Sequence, residues 1–279
     1  MRHINRGDQF VVACIDSPQS APAVIAAARH LAAHLRHKGL LLLNVARDTK
    51  AEWIKDYGFP YAALQGDWAT AIEGLPTAFN AILAVTAVDP QAPRSSLTNP
   101  RTLLRAFRNC KIAYLVVNSH KDSTQNINSQ FSTFNFSTAL LTVDFHRESK
   151  EKLIWASYLA RFLSADLTVA LPQYKDQGLR TLQNNNIRYI DKVFSPLGIK
   201  YTLSHLLTPQ STLHPKSSPD LQALATLHPD LLIALTTDPR ATDPLDWLLG
   251  TPDRRLLTHP SATHILFLNP RDDLYVLCD

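Results

Sequence analysis

A chain of 279 residues, 45% of them hydrophobic, can bury one large core or two of ordinary size, and its net charge of +4 comes from Lys and Arg that are scattered rather than gathered into a phosphate-following stripe. Charge therefore gives no ground for a nucleic-acid partner. No apolar run approaches the roughly 20 residues of a membrane span, the opening MRHINRGDQF lacks the apolar stretch of a secretory leader, and Cys14, Cys110 and Cys278 form no CxxC pair, so no membrane partner and a cytoplasmic location are expected.

Phe10 to Ile15 is a short continuous apolar run that suits a buried parallel strand, and Asp16-Ser17-Pro18 ends it. Ser17 or Ser20 can cap the next helix, where Val24, Ala28, Leu31 and Leu35 recur on one face until Gly39 stops it. Leu40 to Val45 gives the second strand. Arg47 to Pro60 leaves room for one or two helical turns around Trp53. Tyr61 to Gln65 is a third strand, Asp67 to Phe79 a helix marred by Gly74 and Pro76, and Ala81 to Val88 a fourth strand. After the polar loop PQAPRSSLTN, a helix from Pro100 to Arg108 starts with proline in its first turn and leads to a fifth strand, Ile112 to Val117. Alternation of strand and helix demands a parallel sheet.

Asn118 to Asn135 is polar, rich in Ser and Asn and without period, as a linker is. The order then repeats: strand Ala139 to Val143, helix Lys150 to Leu163, strand Leu167 to Leu171, helix Leu179 to Phe194, strand Lys200 to His205, a proline-bearing loop Thr208 to Pro219 with expected mobility, helix Leu221 to Leu227, strand Leu231 to Thr236, helix Pro252 to Thr258 and strand His264 to Leu268. The repeat also shows in register. Asp16 laid over Asp144 puts Ile25 on Leu153, Ala28 on Ala156 and Leu35 on Leu163, whereas near the ends Pro100 lies over Pro252 and Leu104 over Leu256. The offset grows from 128 to 152 residues, and Tyr174 to Gly198 supplies the extra chain. The expected division is 1–117, a linker 118–135, and 136–279.

These residues resemble the universal stress protein family in a tandem form: the strand ending in Asp (CIDSPQS, TVDFHRE), the small-residue helix (WASYLARFL), the turn LLGTPDRRLL and the closing strand. The resemblance implies an α/β fold of two domains. Each would be a five-stranded parallel sheet of order 3-2-1-4-5, of the adenine nucleotide alpha hydrolase-like kind, with helices on both faces. A pseudo-twofold would relate the two, as in a dimer made covalent. ATP-binding members place the Asp after the first strand against adenine and cradle phosphate with G-x2-G-x9-G-[S/T] after the fourth. In an open α/β sheet, ligands in any case bind at the carboxyl ends of the strands where the order reverses.

Set on that pattern, the second domain offers Asp144 for the adenine side and Gly250-Thr251 for the last G-[S/T], with Val169, Pro172 and Thr237 expected nearby. The first two glycines are missing. TTDPRATDPLDW stands there, and its Asp238, Asp243 and Asp246 outnumber Arg240 and would repel phosphate unless a divalent cation bridged them. The first domain has Asp16 and, over Gly250-Thr251, Thr98-Asn99, with Arg94, Ser95 and Ser96 as further donors but no glycine. Two roles stay open for Asp16 and Asp144, a ligand contact and a helix cap or turn. His30, His34 and His37 have helical metal-ligand spacing, but a solvated face is the favoured reading; His146 is read as a loop residue and Asp272-Asp273 as a turn. Nothing resembles a nucleophile elbow, a P-loop or a paired acid and base. The expectation is a non-catalytic stress-response or regulatory protein, not an enzyme, that needs no cofactor and binds a protein partner or a small ligand. The alternatives are an ATP or AMP binder using Mg2+ and the second domain, with slow hydrolysis, and a scaffold or homo-oligomerisation module.

Overall fold

The computed structural model describes residues 9–35, 38–46, 52–118, 136–144, 149–206, 218–237, 250–261 and 263–269. The chain divides into two compact units, 1–135 and 136–279.

In the first unit, β1 (Phe10–Cys14) leads to helix α1 (Ala21–His34), β2 (Gly39–Ala46), a 3-10 helix (Glu52–Tyr57), β3 (Tyr61–Gln65), α2 (Trp68–Glu73), α3 (Leu75–Ala78), β4 (Ala81–Val88), α4 (Pro100–Phe107) and β5 (Ala113–Asn118). The helix expected over 67–79 is thus two short ones, parted at Gly74, where Pro76 cannot continue the hydrogen-bond ladder of the preceding turn. The strands lie in the order β3-β2-β1-β4-β5, and each neighbouring pair is parallel. Right-handed crossovers of that order put α1 on one face and α2, α3 and α4 on the other.

The second unit runs β6 (Thr138–Thr142), α5 (Ser149–Phe162), β7 (Asp166–Pro172), α6 (Gln177–Phe194), a 3-10 turn (Ser195–Leu197), β8 (Tyr201–Leu206), α7 (Pro219–Leu227), β9 (Leu231–Leu235), α8 (Pro252–Leu257) and β10 (His264–Leu268). Its order β8-β7-β6-β9-β10 is that of the first unit strand for strand, again parallel. By the same handedness α5 and α6 share one face, and α7 and α8 share the other. The 24 residues by which the offset grows hold the long α6, where the first unit has a 3-10 helix.

Sheet residues are buried on both sides, as covering helices require: Val11 to Ile15 and Ala139 to Leu141 are core. In each unit the first strand has neighbours reached by connections that run opposite ways, so the reversal point lies at the carboxyl ends of β1 and β6.

Candidate functional site

At the reversal point of the first unit, the turn after β1 carries Asp16, half-buried. Its Oδ2 accepts from the hydroxyl of Ser96 and from the backbone N–H groups of Leu97 (2.7 Å) and Thr98 (3.4 Å); its Oδ1 accepts from the Ser20 hydroxyl (3.4 Å). Ser20 occupies the N-cap position of α1, yet its hydroxyl turns to Asp16 and to the Ser17 carbonyl instead of capping the helix.

The loop that presents these donors is closed on itself. Asp89 N–H donates to the Thr98 carbonyl, Gln91 N–H to the Asp89 carboxylate, Ala92 N–H to the Asp89 carbonyl and Ser96 N–H to the Pro93 carbonyl. The Asn99 side chain caps α4 through Arg101 N–H (3.1 Å) and donates to the Ala92 carbonyl (2.8 Å), and Thr102 Oγ1 donates to the Arg94 carbonyl. The Thr98 hydroxyl meets Ser96 Oγ at 2.7 Å, while Arg94 and Ser95 are exposed. The structure thus brings Asp16 and Thr98 together, but against each other. The Leu97 and Thr98 amides just before the N-cap of α4 hold the Asp16 carboxylate, and the first helix amide, Arg101 N–H, is held by Asn99.

The second unit fills the same place differently. Its loop between 237 and 250, with Asp238, Arg240, Asp243 and Asp246, lies outside the described residues, as do His37, His146, Asp272-Asp273 and the loop 207–217. Asp144 follows β6, as Asp16 follows β1; its carbonyl accepts from Asn186 of α6 (2.8 Å). Gln183 of α6 bridges the carbonyls of Val143 (3.1 Å) and Pro172 (3.0 Å), tying together the ends of β6 and β7. In the first unit the carbonyl matching Val143 is that of Ile15, served by Asn44 of β2 at 2.7 Å. Tyr174 stands close enough to Asp144 to feel its charge, and burial first, then that charge, raise the phenol above its ordinary range.

Thr237 and Asp253 pair through the Thr237 N–H (3.3 Å) and hydroxyl (3.2 Å). Gly250 has φ +84°, a left-handed conformation that glycine takes without strain, and Thr251 sits extended at the N-cap of α8 without a side-chain bond to the helix. Val169, expected near a ligand, is fully buried three residues before the end of β7 and belongs to the sheet core.

Sequence reasoning missed Lys152, which crosses the carboxyl end of β6 and bonds to Thr142 and to Asp220 of α7. It lies over Val24 in the repeat, and a lysine in register with a core position was the available signal.

Among ionisable side chains elsewhere, burial pushes the Cys14 thiol far up and the Cys110 thiol to about 11, which makes both poor nucleophiles. The His30 and His34 rings lie 4.3 Å apart between centroids, tilted by 37°. No described helix is long and apolar enough to cross a membrane.

No family model matches the sequence, and no curated protein matches it. Solved structures do match. A functionally unknown protein from Pseudomonas aeruginosa PAO1 is 15% identical, with 98% of this chain and 95% of that chain covered at a TM-score of 0.59. A universal stress protein from Archaeoglobus fulgidus DSM 4304 is 12% identical, with 96% and 99% covered at the same TM-score. At such identities the likeness is one of fold: the chain carries the universal stress protein fold over nearly its full length.

Proposed function

We propose that this chain, a tandem repeat of the universal stress protein fold, is a cytoplasmic, non-catalytic stress-response or regulatory protein. It acts by binding a protein partner or a small ligand, and not through an adenine nucleotide held in the familiar manner. One observation carries this reading. The carboxylate of Asp16, on the adenine side by resemblance, is already taken up by Ser96, Leu97 and Thr98, the residues whose donors a nucleotide would need. Lys152 lying across the matching edge of the second unit supports it. Among the described residues, the Cys14 and Cys110 thiols are buried and Asp16, Asp220 and Asp253 are each paired within the chain, which also supports it.

The rival reading, an ATP or AMP site in the second unit, is favoured by Gly250 and Thr251, which keep a glycine-then-hydroxyl step at the mouth of α8. Thermal unfolding with increasing ATP and Mg2+ separates the two. No movement of the midpoint is expected, and a rise that grows with ligand concentration would establish the rival. Gel filtration then tells a monomer from an assembly.

A further inference from the structure

Lys152 stands in the first turn of α5, where a lysine is ordinarily solvated, yet it is only 2% exposed. Its ammonium donates to the Thr142 carbonyl (3.2 Å), to Thr142 Oγ1 (2.9 Å) and to Asp220 Oδ1 (3.3 Å), so each of its three protons has an acceptor. Thr142 Oγ1 also donates to Asp220 Oδ1. Asp220 belongs to the first turn of α7, which lies on the opposite face of the sheet from α5. The ion pair therefore passes through the reversal point itself, from one helical layer to the other.

The fold does not require this pair. In the first unit Cys14 and Val24 hold the positions of Thr142 and Lys152, and both are buried. Replacing a buried ion pair by packed apolar groups is commonly neutral or stabilising, so a pair kept at a ligand-binding edge calls for another explanation.

We propose that the carboxyl edge of the second unit is an anion site whose anion is supplied in cis: Asp220 occupies, on Lys152 and Thr142, the place that a compact phosphate or carboxylate group of a ligand would take. The first unit shows the same device with other parts, since the Asp16 carboxylate lies on the Leu97 and Thr98 amides. The inference rests on the reading that neither unit holds a nucleotide, and it explains why: the charge that would attract phosphate is matched internally. Asp220 acts as a tethered competitor.

Asp220→Ala tests this, because it removes the carboxylate that fills the place and leaves the ammonium and the Thr142 hydroxyl to face an added anion. At ionic strength held constant with chloride, inorganic phosphate should raise the unfolding temperature of this variant, with an affinity at least about tenfold above that for the wild type. The double variant Lys152→Met/Asp220→Ala should not respond. Acetate in a parallel titration tells a carboxylate site from a phosphate site, and a response of the single variant to either anion supports the proposal. A folded Asp220→Ala protein that neither anion moves overturns it, and so does an equal response from the double variant. Should the single variant fold poorly, phosphate must restore it; failure to do so while the double variant folds also overturns the proposal. A rise of the wild type with Mg-ATP would instead defeat the proposed function, and that is read in a separate titration.

Discussion

Asp16 does structural work that a ligand-binding carboxylate would be free of. Removing it leaves the Ser96 hydroxyl and the Leu97 N–H without their acceptor in a half-buried turn, a loss of about 1–3 kcal/mol. Asp16→Ala should lower the urea midpoint accordingly, and an unchanged midpoint would show that the network contributes nothing. His30 gives a pH dependence of known sign. Burial, and secondarily the neighbouring His34, lower its pKa to about 4, whereas an unfolded histidine titrates near 6.5. Between these values the unfolded chain binds the proton more readily, so stability is full above about 6.5 and falls as the pH drops toward 4. His259, also lowered by burial and by His228, acts in the same direction. Denaturation curves across that window should show the decline, and His30→Gln should flatten part of it. At this scale the sequence revealed Asp16 and Asp144, which end apolar runs, and Ser96 as a donor, but not the bond from Ser96 to Asp16, which spans 80 positions. A contact that distant leaves no local trace.

Elements were the most legible level. The strands Tyr61–Gln65, Ala81–Val88 and His264–Leu268 fall where apolar runs bounded by turn residues place them. The α1 stripe of Val24, Ala28, Leu31 and Leu35 is buried as its period requires. What could not be read is how helices are joined across the sheet. The bonds of Lys152, Gln183 and Asn186 to inner carbonyls have no local signature, because polarity predicts exposure and says nothing about which carbonyls wait inside. The clip between α5 and α7 has a measurable energetic signature. Lys152→Met leaves Asp220 partly buried without its cation and should cost about 3–5 kcal/mol. Lys152→Met/Asp220→Leu, which removes both charges, should recover most of that loss in urea unfolding. Equal losses in the two variants would mean that packing, not charge pairing, dominates there.

For the whole molecule, the decisive sequence feature was the repeat. Two aligned turns, each an Asp after an apolar run, and the growth of the offset through Tyr174 to Gly198 led to five parallel strands of one order in each unit, which the structure has. The same alignment could not show that the two carboxyl edges are filled by unlike means, since the filling groups, Ser96 in one unit and Lys152 with Asp220 in the other, come from non-equivalent positions. The fold is thus common to both units while the contents of its ligand edge are particular to each. Among the described residues, both edges are occupied by the chain's own groups. Native mass spectrometry of protein purified without added nucleotide, then incubated with Mg-ATP, tests this most directly: the bare chain mass is predicted in both spectra, and a peak heavier by one adenine nucleotide in either would contradict it.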